Sequence, residues 1–152
     1  MRLFFIIWIV YLSFLSGCTD FSASDVAVGG LRCEYMTDPL GIEKGNPRLS
    51  WVIRSGTRGE RQTAYQVMVA ESPDELNNDE GRIWDSKKVK SDQSVQVTFQ
   101  GKKLESMKRY YWKVRVWDKE HRRSVWSEPA FWEMGLLQPD DWKAKWIAYE
   151  PA

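Results

Sequence analysis

From Val26 onward, apolar residues alternate with polar ones over short segments broken by turn residues, and almost nowhere does a helical period outlast two turns. A chain written this way is all-β. Pro47 to Arg54 sets Leu49, Trp51 and Ile53 on one face and Ser50, Val52 and Arg54 on the other, before Ser55-Gly56-Thr57-Arg58-Gly59 breaks the strand. Gly56 and Gly59 are spaced as in a hairpin turn, and Gly29-Gly30 as in a bulge of the first strand. Gln62 to Ala70 repeats the alternation with Tyr65, Val67 and Val69. Ser72 to Gly81 is polar, opens with a one-turn helix at Pro73, and is expected as a surface connection. Short strands follow around Arg82 to Ser86 and at Val95 to Phe99, the latter with Val95, Val97 and Phe99 inward. The strongest strand runs from Arg109 to Asp118, where Tyr110, Trp112, Val114 and Val116 alternate with Tyr111, Lys113, Arg115 and Trp117. Lys119 to Arg123 turns the chain, and Pro129 to Gly135 supplies a last strand that buries Trp132 and Met134. Six or seven such strands, each with one apolar face, predict two antiparallel sheets packed face to face.

Two details resemble the fibronectin III or immunoglobulin-like group of sandwiches. Tyr110 opens the penultimate strand and Leu104 lies in the loop before it, the sequence form of a tyrosine corner, in which the phenol oxygen bonds an upstream backbone group. Trp126-Ser127-Glu128-Pro129 precedes the last strand, as a tryptophan-serine pair does in many fibronectin III domains.

The start of the chain is not part of this fold. Arg2 followed by the apolar run Leu3 to Leu15 has the charged start and short apolar region of a secretory signal, and the run is shorter than the roughly 20 residues that span a bilayer as a helix. It meets Leu15-Ser16-Gly17-Cys18, which resembles the bacterial lipoprotein cleavage box, where the cysteine receives diacylglycerol and becomes the new N-terminus. The expected organisation is a lipoprotein signal peptide at 1–17, a polar tether at 18–25, a fibronectin III-like sandwich of about seven strands at 26–135, and the start of an interdomain segment at 136–152. Lipidation of Cys18 implies an exported chain anchored to a membrane, at its periplasmic face or the cell surface. It also leaves Cys33 without a partner, so a buried thiol and no disulfide are expected, a Cys18–Cys33 bridge being the alternative. The 22 basic and 21 acidic residues become equal once Arg2 is removed, and no basic stripe is present, so nucleic acid is not an expected partner.

The usual reactive constellations are missing from the sequence. The single histidine, His121, sits in a charged turn, which argues against a metal ligand and leaves no second imidazole to serve as a base. No phosphate-binding glycine loop occurs, and no cofactor is expected. A glycosidase needs two carboxylates held across a cleft, and the neighbours available are Asp38 with Glu43, the Asp74 to Glu80 cluster, and Asp140 with Asp141. All lie in polar loops without an aromatic pocket to raise a pKa, so they are expected as turn residues, and no catalytic residue is assigned. Nine tryptophans stand out, of which Trp8 leaves with the signal. Trp51 and Trp112 fall on inner faces. Trp117, Trp126, Trp142 and Trp146 are harder to bury in a small sandwich, and Trp126, Trp142 and Trp146 are the candidate surface for docking another domain or stacking on a glycan.

Seven short blocks then carry a family likeness. Pro47-Arg48-Leu49-Ser50-Trp51, Gln62-Thr63-Ala64-Tyr65-Gln66-Val67 and Ile83-Trp84-Asp85-Ser86 resemble the N-terminal domain of bacterial α-L-rhamnosidases of glycoside hydrolase family 78. Tyr111 to Asp118, Trp126 to Pro129, Glu133 to Leu137 and Asp141 to Ile147 are similar to the same family in the same order. Lys87-Lys88 departs from it, the family often having a glycine after the serine. The resemblance implies a non-catalytic accessory module that packs against neighbouring domains of a rhamnosidase, with the catalytic acid and base on a helical domain that this chain, ending at Ala152, is expected to lack. The rival expectation is an independent carbohydrate-binding surface lipoprotein.

Overall fold

The computed structural model describes residues 24–145; the signal segment, Cys18, Trp146 and all that follows Trp146 lie outside that range. Seven strands form β1 (Ala27–Cys33), β2 (Arg48–Arg54), β3 (Ala64–Ala70), β4 (Trp84–Asp85), β5 (Val97–Thr98), β6 (Arg109–Trp117) and β7 (Ala130–Glu133), with a short helix α1 at Pro73–Asn77. They make one sheet of order β1-β2-β5 and another of order β4-β3-β6-β7, all pairs antiparallel. This is the expected immunoglobulin-like sandwich. Alternation places Leu49 and Trp51 of β2 against Tyr65, Val67 and Val69 of β3 and Tyr110, Trp112, Val114 and Val116 of β6, in one buried cluster. Aromatic rings bridge the sheets edge to face, Trp51 to Tyr65 at 5.1 Å, Trp84 to Phe99 at 5.3 Å and Phe99 to Trp132 at 5.9 Å, the geometry that the ring quadrupole favours.

Several local features follow from single residues. The register of β1 against β2 shifts between Gly29 and Arg32, where Gly30 takes φ +60°, a left-handed conformation that a side chain would strain. α1 begins as the sequence predicts, with Ser72 Oγ accepting from the Glu75 N–H at 3.3 Å and Pro73 in the first turn. From Arg123 onward, the chain runs beside β6 before β7 begins. Ser124 and Ser127 act there as strand surrogates, each donating its N–H to β6 (to Val116 O and Val114 O, both 2.9 Å) while its Oγ accepts the N–H of the same residue (3.0 and 3.1 Å). The hydroxyl thus replaces the missing carbonyl of a neighbouring strand.

The structure corrects four expectations. The Gly56–Gly59 segment is not a hairpin turn but the crossover between sheets, because both edges of β2 are taken by β1 and β5 and β3 must pair elsewhere. Val95 is exposed and does not face inward, since Gln96 adopts φ +57° and breaks the alternation before Val97 and Phe99 turn in. Ser72 to Gly81 is not wholly a surface connection: Leu76 is fully buried and packs with Met68 and Ala70 on the outer face of β3, which leaves β3 buried on both faces. Trp117 is buried as well, with Lys88 Nζ 4.5 Å from its ring centroid and Arg115 Cζ at 5.7 Å.

Candidate docking surface

Trp126 lies on the outer face of β6, held by cations rather than by apolar neighbours alone. Lys113 is buried with its ammonium 4.6 Å from the Trp126 ring centroid, and it donates to Leu76 O and, at 2.6 Å, to Asp79 Oδ1. The Arg115 guanidinium sits 4.2 Å above the same ring and is fixed by two bonds to Gln66 Oε1 at 3.0 and 2.7 Å. The indole therefore covers two cations whose hydrogen bonds are met by β3 and α1, and it is half-buried.

Trp142 belongs to a different part of the molecule. After β7 the chain is stitched to the loop before β6: Gly135 N–H donates to Ile42 O at 2.8 Å, Met107 N–H to Gly135 O at 3.1 Å, and Leu137 N–H to Ser106 Oγ at 2.9 Å. Ser106 Oγ donates in turn to Asp141 Oδ2, which also accepts the Gln138 N–H at 3.0 Å. These bonds, that from Ser106 foremost, hold the Asp141 carboxyl below the usual carboxylate range, so it stays ionised as the anchor of a 3-10 turn at Pro139–Asp141. An open groove of about 510 Å3 lies between Leu104, Ser106, Leu137 and Gln138. Trp142 closes the turn through its N–H to Pro139 O at 3.2 Å and leaves its residue 54% exposed. Leu40 and Met107, 65% and 70% exposed, flank the same exit from β7, since Glu133 N–H donates to Pro39 O and Met107 N–H to Gly135 O. The sequence thus groups Trp126, Trp142 and Trp146 as one surface, whereas the fold places Trp126 on the β6 face and Trp142 at the exit of β7; Trp146 lies outside the described residues.

Beside that exit, Tyr110 is buried and its Oη accepts the Glu105 N–H at 2.9 Å, while Leu104, the residue before Glu105 in the loop that leads to the strand, is buried as well. Tyr110→Phe is expected to destabilise by about 1–2 kcal/mol because a buried N–H loses its acceptor. Leu104→Ala should cost about 2–5 kcal/mol. Urea midpoints measure both, and a midpoint unmoved by Tyr110→Phe would remove the pinning role.

The other titratable groups serve the fold. Cys33 is buried and free of any disulfide, and burial, followed by the adjacent Glu34 charge, pushes its thiol up to about 12. Glu34 is held low by the Arg48 side chain, with Nη2 to Oε2 at 2.6 Å. Glu60, Asp118 and Glu120 bring carboxylate oxygens within 4.8 Å of one another, a trio that sequence reasoning missed because the fold alone unites residues so far apart. Two of the three are paired with a cation, Arg122 bonding Asp118 Oδ2 at 2.8 Å and Glu120 Oε2 at 3.2 Å, while Glu60 Oε1 accepts the Lys119 N–H at 3.0 Å and its Oε2 is buried without a partner among the described residues. Burial would raise the Asp118 pKa, but hydrogen bonds from Ser24 and Arg122 outweigh it and keep the carboxylate ionised. One carboxylate of each of two pairs takes a structural post instead. Asp38 Oδ1 accepts the Phe131 N–H at 2.9 Å, and Asp141 anchors the exit turn.

Comparison with known proteins accounts for this architecture. A family described as the Rha78A-like, N-terminal immunoglobulin domain matches residues 28–138. An α-L-rhamnosidase of Streptomyces avermitilis is 48% identical over 115 residues, covering 76% of this chain and 11% of that protein. One from Formosa agariphila is 45% identical over 112 residues, covering 73% of this chain and 12% of the relative. Among solved structures, an α-L-rhamnosidase from Dictyoglumus thermophilum superposes with a TM-score of 0.78 at 43% identity, over 82% of this chain and 14% of its own. The Streptomyces avermitilis enzyme complexed with L-rhamnose gives the same TM-score at 45% identity, over 82% of this chain and 12% of its own. This chain therefore spans about one-eighth of the relatives it matches, and the match falls on their N-terminal domain and not on their catalytic region. With its two-sheet sandwich and a family match running from β1 to the segment after β7, the chain belongs to the Rha78A-like N-terminal immunoglobulin domain family.

Proposed function

We propose that this chain works as the accessory N-terminal module of an α-L-rhamnosidase, carried to a membrane by lipid on Cys18 and packed against a neighbouring domain at the exit of β7. The observation that carries the docking reading is the exit itself. Side-chain and backbone bonds pin the segment from Gly135 to Trp142 to its own sandwich, so it is a built element and not a loose linker, yet Leu40, Met107 and Trp142 around it present apolar surface to solvent. Such surface is what a small domain buries against its neighbour. The chemistry of the parent, hydrolysis of α-L-rhamnosides, would reside on residues outside this module, in which Asp38, Asp118 and Asp141 are committed to capping and ion pairs.

The full chain carrying Trp142→Ser with Trp146→Ser tests the docking face. Self-association and binding of a hydrophobic dye are expected to fall while the cooperative unfolding transition is retained. Loss of that transition would make the two indoles part of the core and end the docking reading; loss of glycan binding alone would install a carbohydrate-binding role in its place. The same purified chain, given aryl α-L-rhamnosides, should release neither rhamnose nor aryl alcohol.

A further inference from the structure

β4 closes one sheet and β5 closes the other, and an open groove of about 370 Å3 lies between them, within the range of about 300–1,000 Å3 of small-molecule sites. Its base is Tyr65, the inward residue near the start of β3. Tyr65 is only 8% exposed and its ring packs edge to face on Trp51, yet among the described residues its Oη has no hydrogen-bond partner. A tyrosine this far inside ordinarily finds one. Tyr110 shows the ordinary case in the same core, its Oη satisfied by the Glu105 N–H. The Tyr65 Oη is not sealed off either, because the sealed and unpaired side-chain atoms of the described residues are Glu60 Oε2 and Trp112 Nε1. Burial pushes the Tyr65 phenol up, which keeps it protonated and able both to donate and to accept.

The walls have a consistent chemistry. Trp84 of β4 is half-buried with its ring edge to face on Phe99, and it lines the groove beside Tyr65. Gln93 is held through Nε2, which donates to Val95 O at 3.0 Å and Gln96 O at 3.2 Å, leaving its Oε1 as an acceptor. The side chains of Thr98 and Gln100 are exposed and also line it. The one charged lining residue, Asp85, is already neutralised: its Oδ1 accepts from Gln66 at 2.7 Å and from the Lys87 N–H at 2.9 Å, and Lys87 Nζ stands 2.6 Å from Oδ2. The groove therefore offers uncharged donors and acceptors around one aromatic ring. A charged ligand would find no countercharge there. A peptide strand would find little ladder to extend, since β4 and β5 have two residues each.

We propose that the groove between β4 and β5 binds a neutral saccharide, with a sugar ring against Trp84, a sugar hydroxyl bonded to Tyr65 Oη, and Gln93 and Gln100 bonded to its neighbours. The site is distinct from the surface around Trp142, and none of its residues belongs to the segment after β7, so it stands or falls independently of the docking reading.

The test is a titration of the full chain, isotopically labelled and held in a polyoxyethylene detergent that contains no sugar, with L-rhamnose, D-glucose and an uncharged tripeptide. At least one sugar is expected to move the Trp84 indole and the Gln93 and Gln100 amide resonances saturably. Tyr65→Phe should weaken that binding about five- to tenfold while leaving the unfolding midpoint unchanged or raised, because the hydroxyl removed has no partner in the free protein. Gln100→Ala, at an exposed position, should weaken it with no change in stability. The proposal is overturned if neither sugar shifts these resonances at concentrations on the order of 100 mM, well above where millimolar binding saturates, or if the tripeptide alone shifts them. A lowered midpoint for Tyr65→Phe in the absence of sugar would overturn it too, since the phenol would then have a partner of its own.

Discussion

Trp112→Ala is expected to lower the free energy of unfolding by about 3–5 kcal/mol, the usual result of emptying a buried indole site. Trp112 is fully buried on the inner face of β6, pairs across to Val69 of β3 and Ala130 of β7, and lies in the cluster that joins the two sheets. Its indole N–H is buried without a partner among the described residues, so the side chain stabilises by volume and area and not by a hydrogen bond. Domains of this size are typically stable by about 5–15 kcal/mol, so the variant would lose about a fifth of its margin or more. Trp112→Phe keeps much of the volume and discards the unpaired N–H, and should lose markedly less. Denaturant unfolding of the three proteins would decide the matter: if the phenylalanine variant is as unstable as the alanine variant, the N–H has a partner or the site cannot adjust to a smaller ring.

Cys18→Ser should have the largest effect on location. The proposed lipid anchor places diacylglycerol on Cys18, and two acyl chains suffice for stable anchoring where one is marginal. The unmodified sequence is expected to fractionate with membranes as a mature chain beginning at Cys18. The serine variant should either appear in the soluble fraction or persist unprocessed with its first 17 residues attached. Intact mass gives the check, and a mature chain with an unmodified Cys18 thiol would end the anchor proposal. The sandwich itself should be unaffected, because β1 begins at Ala27.

The pattern of residues was enough to read β2, β3 and β6, where strict alternation leaves only one face to bury, and enough to place α1, where serine and proline stand at the positions that start a helix. It failed where a single backbone angle decides. Val95 has the spacing of an inward residue, and only the left-handed conformation of Gln96 turns it out. It failed again at Leu76, a lone apolar residue in a polar segment, because its burial depends on an outer face of β3 that no local pattern announces.

The candidate surfaces divide in the same way. The abundance of tryptophan pointed to a surface with work to do, but Trp126 and Trp142 are carried by different elements, one drawn down by Lys113 and Arg115 and the other left at the exit of β7. The groove at Tyr65 was not legible at all, since residues 65, 84, 93, 98 and 100 converge only once two sheets are stacked with their short edges together. What the sequence by itself determined is the class of fold, the family and the core, because apolar alternation and aromatic placement act through local geometry and area. Only the tertiary structure decided that the Gly56–Gly59 turn crosses between sheets, that Glu60 is brought beside the two carboxylates that Arg122 bonds, and that a buried phenol faces an open groove, because each depends on which strands become neighbours in space.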